Sequence, residues 1–434
     1  MPRMSRTIAL LSCLAVPALA QDDISGRYAT VQTVDGTEIY GMLELHQKGT
    51  AISGKFSGDE LTGTRNGNKV DFVAKDKEGN GGTVHLILEH GVLRGTAIGF
   101  DSTSHQTKYM TNTVVARRLE VSTPGSPRRY EHRPTAFPRA FSPLIKPVLT
   151  VKPGDTVHTI TVDAGGIDEQ AVAHALGGNP QTGPFYVEGV MPGDTVAIHI
   201  VKLRLNRDWA TSDDYLVRNA VPPGLAVAMK DTGKMVYWHL NRENMTASPE
   251  LPGTHMKSYA VPLRPMLGCV AVAVPPLIAA PNSGDSGSYG GNMDFNEIRE
   301  GATVYLQARV PGALIYVGDG HATMGDGELN GNGLETSMDV EFRVEVIRDK
   351  STPQPRVETA DRLMALGYEG SLDEALKTAT FNMQRWLTAD YALDASEAAL
   401  VIGSAATIRI SEAADRNSGI ALILDKSVLK TLTK

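Results

Sequence analysis

The chain has 434 residues, 41% of them hydrophobic and 21% charged, with a formal net charge of -7. That balance supplies enough apolar material for more than one buried core and excludes a disordered chain. The acidic excess excludes a general nucleic-acid binder, and two cysteines exclude a disulfide framework or a CxxC metal centre.

The first twenty residues have the layout of an export signal. Arg3 and Arg6 give a positive start, 8–16 form an apolar run, and Ala18-Leu19-Ala20 is a small-residue cleavage site before Gln21. The run is too short to span a bilayer, and no later stretch is apolar enough to be a transmembrane segment. The expected product is therefore exported, periplasmic or secreted, and cut after Ala20. Cleavage removes Cys13. Cys269, at the head of the apolar run 270–274, then remains as a buried structural thiol.

Residues 24–119 read as a separate antiparallel β module. Alternating runs at 27–34, 38–46, 51–56, 69–74, 83–88, 93–100 and 114–119 are separated by turn residues, among them Asp35-Gly36 and Asn66-Gly67-Asn68. Closure into a small barrel or sandwich would hide the strand edges. His85, His90 and His105 are scattered and carry no ligand spacing. Residues 120–147 read as a linker, broken by Pro124, Pro127, Pro134, Pro138, Pro143 and Pro147. Its arginines suit a solvated connector over acidic neighbours.

A second β-rich domain is expected over 148–434. Val151-Lys152-Pro153-Gly154-Asp155-Thr156-Val157 and Val190-Met191-Pro192-Gly193-Asp194-Thr195-Val196 are near copies. Each sets a Pro-Gly turn before a strand, which fits a double-sheet sandwich. In 339–347, Val340, Phe342, Val344 and Val346 fall on one face. From roughly residue 356 the chain turns helical in expectation. Ser371-Leu372-Asp373-Glu374 is a capping box, and Asp394 with Glu397 repeats its spacing. The fold class is thus mainly β with α additions: a β-sandwich core, C-terminal helices and a small N-terminal β domain.

The densest chemistry lies at 318–328, Gly-Asp-Gly-His-Ala-Thr-Met-Gly-Asp-Gly-Glu. Glycines let Asp319, His321, Asp326 and Glu328 converge from one loop. Carboxylates with a histidine suit a divalent cation, general acid–base work on water, or only a polar turn. A second cluster is Gly290-Gly291-Asn292-Met293-Asp294. The preceding Gly284-Asp285-Ser286-Gly287 lacks the surroundings of a serine-protease nucleophile. Asp163 ends the strand 159–162 beside two glycines, and 178–189 offers Thr182 and Glu188 as polar candidates.

In order along the chain, 179–189 (NPQTGPFYVEG), 290–294 (GGNMD), the GDGH and GDGE of 318–328 and Glu335-Thr336-Ser337-Met338 resemble the acetamidase/formamidase family over about 135–434. The resemblance implies hydrolysis of the C–N bond of a small linear amide to a carboxylic acid and ammonia, by a homo-oligomer. It implies active-site positions at Asp163, Asn292, Asp294, Asp319, His321, Asp326 and Glu328. In the mechanism we expect, Asp163, Asp319 and His321 hold a divalent metal, zinc or calcium. Glu328 is the general base, with His321 and Asp326 catalytic beside it, and Asn292, Asp294 and Thr182 bind substrate. Met324 stands where the family usually has glutamine. The leader and the 24–119 module are additions to the family's unit. They leave two alternatives: an exported hydrolase of a larger or cyclic amide, and a non-catalytic β protein that binds the cell envelope.

Overall fold

The computed structural model describes residues 23–432 apart from 35, 101–108, 120–125, 230–232, 252, 254, 276–278 and 349. The export signal, Cys13 and His105 lie outside the described residues.

Eight strands form the N-terminal module: Gly26–Val34, Thr37–Lys48, Ala51–Phe56, Asp59–Asn66, Lys69–Lys75, Gly81–Glu89, Val92–Phe100 and Tyr109–Arg118. Each pairs antiparallel with the next, and the last returns to the first, closing a barrel. Asp59–Asn66 is the strand that periodicity does not reveal, because glycine, threonine and charge dilute its pattern. It forms because Ser57 and Gly58 both take positive φ, 53° and 100°, which suits a two-residue hairpin turn. Tyr28, Leu43, Leu45, Ile52, Leu61, Phe72 and Leu86 fill the interior.

The expected linker is only partly a connector. Arg129–His132 pairs parallel with Thr156–Ile160 at the edge of a nine-stranded sheet. Four proline-free residues are enough for this, and Arg129 anchors them by donating to Glu341 from Nε (3.0 Å) and Nη2 (2.7 Å). Phe141 is fully buried beside Cys269, Tyr316 and Val310, with Tyr40 of the barrel packed against the same cluster.

Two large sheets make the sandwich. The strand Thr195–Leu205 lies between Thr303–Gln307 and Met338–Ile347 in the nine-stranded sheet. Ile315–His321 lies between Met266–Val272 and the short Glu335–Thr336 in the eleven-stranded one. Their inner faces meet in one core that includes Ile198, Val304, Val340, Phe342, Val344, Val270, Ile315 and Val317. Val346 lies at its margin, so the 340–346 alternation becomes a packed face.

The C-terminal part is less helical than its capping boxes suggest. Strands Arg356–Glu358, Arg362–Glu369, Thr407–Glu412 and Ser418–Asp425 extend the nine-stranded sheet around the helices Leu372–Tyr391 and Ala395–Ala405. The caps are where the spacing puts them. Ser371 accepts from the Glu374 N–H, and Asp394 with Glu397 forms a reciprocal box. Ala375, Ala379, Met383 and Leu387 pack the first helix onto Leu363, Ala365 and Leu422. Among the described residues no helix is long and apolar enough to cross a membrane.

Candidate active site: a buried acidic cluster around His321

The glycine-rich segment is not a free loop. Gly318, Asp319, Gly320 and His321 end the fully buried strand Ile315–His321. Strand alternation turns Asp319 and His321 to the same side. Across the ladder stands Gly268, where a Cβ would come within 2.3 Å of Asp319 Oδ2 and 2.4 Å of Asp294 Oδ1. Gly268 therefore makes the space that the two carboxylates fill. Its carbonyl also fixes the Asp294 backbone, accepting from Met293 N (2.8 Å) and Asp294 N (3.1 Å). Gly333 does the same for the imidazole: a Cβ there would sit 2.3 Å from His321 Nδ1.

Four carboxylates surround His321 Nε2. Glu335 Oε1 is 3.0 Å away, Asp319 Oδ1 3.5 Å, Asp294 Oδ1 3.9 Å and Glu328 Oε1 3.9 Å. Glu335 comes from the short strand paired with His321 itself. Glu328 comes from the loop after it. Glu412, at the end of Thr407–Glu412, bridges to Gly327 and forms a further ligand-spaced group with Asp294 and Asp415. Three overlapping sets thus have metal-ligand spacing: Asp319–His321–Glu335, Asp294–His321–Glu328 and Asp294–Glu412–Asp415.

Amide side chains hold this cluster. Asn292 Nδ2 donates to Asp294 Oδ2 (2.6 Å) and Asp415 Oδ2 (2.8 Å), while its Oδ1 accepts from Asn179 Nδ2 (2.8 Å). Asn179, Asp294, Asp319 and Glu328 all have left-handed backbones, with φ of 54°, 40°, 56° and 50°. A non-glycine residue held there costs about 1–3 kcal/mol, and such strain concentrates at functional sites.

The electrostatics are severe. Burial, then the neighbouring charges of Glu328 and Asp319, drive the Asp294 pKa well above the carboxylate range. Glu328 rises well above it too, through burial, despite the lowering effect of His321. Burial pushes Glu335 to about 7, and burial with the Glu412 charge pushes Asp415 to about 7. Burial disfavours protonated His321, but the charges of Glu335 and Asp319 outweigh it and hold the imidazole well above its usual value. Yet Asp294 Oδ1, Asp319 Oδ1, Glu335 Oε2, Glu412 Oε2 and both ring nitrogens of His321 make no hydrogen bond. Buried acceptors of this kind around one imidazole could hold a divalent cation.

The sequence-predicted residues divide accordingly. Asp319, His321, Asp294, Asn292 and Glu328 meet in the cluster. Asp163 sits behind it, its Oδ2 accepting from Arg207 Nη2 at 2.6 Å and its Oδ1 from Ile167 N at 2.9 Å. Arg207 also donates to the Glu335 carbonyl (3.2 Å) and Thr336 Oγ1 (2.9 Å), so this buried pair backs the wall that carries Glu335. Asp326 turns outward to Arg409 (Nε, 2.8 Å) and Asn296 (2.9 Å), and the Arg409 hydrogen bond lowers its pKa. Thr182 is buried, its hydroxyl donating to the Ile160 carbonyl at 2.8 Å. Sequence reasoning missed Glu335, Glu412, Asp415, Asn179 and Arg207. The signal for Glu412 and Asp415 was an acidic turn between two apolar strands.

A family model described as Acetamidase/Formamidase family matches residues 281–368, which carry Asn292, Asp294, Asp319, His321, Glu328 and Glu335. Similar solved structures include a predicted acetamidase/formamidase from Thermoanaerobacter tengcongensis, 29% identical, covering 71% of this chain and 99% of its own, with a TM-score of 0.59. An acetamidase from Bacillus halodurans is 26% identical, covering 70% and 100%, with a TM-score of 0.59. An acetamidase from Yersinia enterocolitica is 26% identical, covering 71% and 95%, with a TM-score of 0.61. No curated protein matches the chain.

Proposed function

We infer, from a chain of the acetamidase/formamidase family and therefore an amidohydrolase of linear amides, that it cleaves a small carboxamide at the His321 cluster with the help of a divalent metal. The observation that carries this reading is the set of four buried carboxylates within 3.9 Å of His321 Nε2, of which Asp294 Oδ1 and Asp319 Oδ1 make no hydrogen bond. Asp319, His321 and Glu335 would hold the ion, with Asp294 and Glu328 completing its surroundings. Asp163 is less suited to that role than its position in the sequence implies, because Arg207 already neutralises it. A bound divalent ion supplies Lewis acidity to the amide carbonyl and lowers the pKa of water.

The chain's own residues supply the proton chemistry. Amide hydrolysis adds water across the C–N bond, so one proton must leave the attacking water and one must reach the departing nitrogen. Glu328 is placed for both transfers, its Oε1 3.9 Å from His321 Nε2, and burial raises its proton affinity. Asn292 is fully engaged by three neighbours, so it fixes Asp294 and Asp415 in place. Glycines at 268 and 333 keep the carboxylates and imidazole from being displaced by backbone substituents.

A second reading, an amide with a bulky acyl group, is favoured by one cavity. It holds about 400 Å³ and is lined by Trp238, Tyr259, Met324 and Gly333, the last of which lies against the His321 ring. We further propose that the enzyme is exported, on its leader, and works as a homo-oligomer. The N-terminus of the purified native protein should then read from Gln21.

The deciding experiment is ammonia release from formamide, acetamide, benzamide and a cyclic amide, before and after chelation. Turnover that vanishes on chelation and returns with one divalent metal supports the metal-assisted reading. Undiminished turnover after exhaustive chelation removes the metal from it. Absence of ammonia from every amide in the metal-loaded protein defeats amide hydrolysis.

A further inference from the structure

A cavity of about 570 Å³, within the range of small-molecule sites, takes its walls from both large sheets, and none of the residues of the His321 cluster lines it. The end of Thr195–Leu205, in the nine-stranded sheet, supplies Leu205. The turn between Met235–Asn241 and Thr246–Pro249, in the eleven-stranded sheet, supplies Arg242 and Met245. Leu263 and Arg264 come from the segment before Met266–Val272. Backbone hydrogen bonds fix these walls: Leu263 N donates to the Met245 carbonyl and Arg264 N to the Ala322 carbonyl, both at 2.9 Å. Arg242 Nη1 donates to the Leu205 carbonyl at 3.2 Å. Its guanidinium is thereby set in place, with further N–H groups to offer an acceptor.

Charge is unbalanced here. Four arginines and one glutamate line the cavity. Glu300 is engaged by Arg204, whose Nη2 donates to its Oε1 at 3.1 Å. Arg299 shares the buried Glu297 with Arg362 and Arg409, so that one carboxylate is divided among three guanidinium groups. Arg242 and Arg264 pair with no carboxylate among the described residues. The floor, by contrast, is apolar, since Leu205 and Leu263 belong to the main core. Met245 holds a left-handed backbone with a φ of 55°. Glycine or asparagine would make that turn with less strain. The turn therefore does not account for the methionine, whose half-exposed side chain walls the cavity.

We propose that this cavity binds a small organic oxyanion, with its charged head on Arg242 and Arg264 and its aliphatic body on Leu205, Met245 and Leu263. Guanidinium groups present paired, coplanar N–H donors that match the oxygens of a carboxylate or a phosphate, whereas a cation would meet their positive charge. The apolar floor selects against a bare inorganic ion, which would leave the three hydrophobic side chains uncovered. A carboxylate and a phosphate monoester both satisfy this chemistry when they carry a short alkyl chain. The arginines are partly open to solvent, so added salt should weaken the complex.

The site does not depend on the amide-hydrolysing activity. Its test is titration calorimetry of the purified chain with hexanoate, hexyl phosphate, inorganic phosphate and hexylamine. Hexanoate or hexyl phosphate should bind with a Kd of about 1 mM or tighter, and the tighter of the two identifies the head group. Inorganic phosphate and hexylamine should bind at least about tenfold more weakly. Arg242→Gln and Arg264→Gln should each weaken the alkyl anion by about tenfold or more. Met245→Asn, which suits the left-handed turn, should weaken the alkyl anions and leave inorganic phosphate unaffected. A His321→Ala chain should bind the alkyl anion as the wild type does, which separates this cavity from the amide site. The proposal is overturned if neither alkyl anion binds at about 50 mM, if inorganic phosphate binds as tightly as they do, if both arginine variants keep full affinity, or if His321→Ala abolishes binding. Self-association that is lost in Arg242→Gln, with no binding of either alkyl anion, would overturn it in favour of a contact between copies of the chain.

Discussion

The barrel and the sandwich differ in how much charge they bury. The barrel interior is apolar apart from Thr30 and Arg65 among its described residues, and it is contributed by strands that are neighbours in sequence. Beside its apolar core the sandwich buries Asp163, Arg207, Asp294, Asp319, His321, Glu328, Glu335 and Glu412. Burying like charges together opposes folding, so the surrounding apolar contacts must offset it. The difference separates a region with a mostly apolar interior from one that concentrates buried charge, where the proposed chemistry would lie. Substitutions at the two places should therefore move different observables.

The largest effect is expected on turnover. His321→Ala and Asp319→Asn should each lower kcat/KM for the best amide by about 10³-fold or more, since they remove the centre of the proposed ligand set. Asp319→Asn should leave the metal-free melting temperature little changed, because it relieves part of a crowded set of buried carboxylates, whereas His321→Ala should lower it, because it removes the cation among them. A metal-free His321→Ala protein that melts no earlier than wild type would mean that the carboxylates are already protonated there. Gly268→Ala should approach the same loss of turnover by displacing Asp319 and Asp294.

Arg207→Met should act on both observables. Removing the guanidinium leaves the Asp163 carboxylate buried without its partner, which costs about 3–5 kcal/mol. Because Arg207 also holds the Glu335 carbonyl, turnover should fall as well. Combining it with Asp163→Leu should restore much of the stability and little of the turnover. Leu43→Ala in the barrel is the counterpart. It should cost about 2–5 kcal/mol in the barrel's unfolding and leave kcat/KM unchanged. Loss of turnover in that variant would show that the two regions are coupled.

How much of each region could be read in the sequence follows the same division. Seven of the eight barrel strands lie where alternation and turn residues put them, because a meander pairs only neighbours. The eighth, Asp59–Asn66, is specified by the positive-φ turn at Ser57-Gly58 more than by its own composition. In the sandwich, spacing brings Asp319 and His321 together because they share a strand face. Spacing could not tell Asp326 from Glu328, two residues apart. Glu328 turns inward on a left-handed backbone, and Arg409, from a distant strand, draws Asp326 to the surface. Glu412 and Asp415 come from a segment that reads as helical packing, and only long-range sheet order carries them to Asp294. Arg129–His132 was hidden by its flanking prolines.

That last strand gives the smallest and most specific test. Its edge position depends on Arg129 donating to Glu341, and this hydrogen bond holds the Glu341 carboxyl below its ordinary pKa. A carboxylate with a depressed folded-state pKa contributes stability that is present above its unfolded value, about 4.3, and lost as pH falls through the folded one. Arg129 is half exposed, so solvent screens the pair and keeps its contribution in the surface range. Glu341→Gln should therefore lower the melting temperature of the sandwich by about 1–3 °C at pH 7 and by progressively less at an acid pH below about 4.3. The barrel's own transition should not move at either pH. A shift of equal size at both pH values would mean that Glu341 acts through packing and that the strand is held by its parallel ladder to Thr156–Ile160 alone.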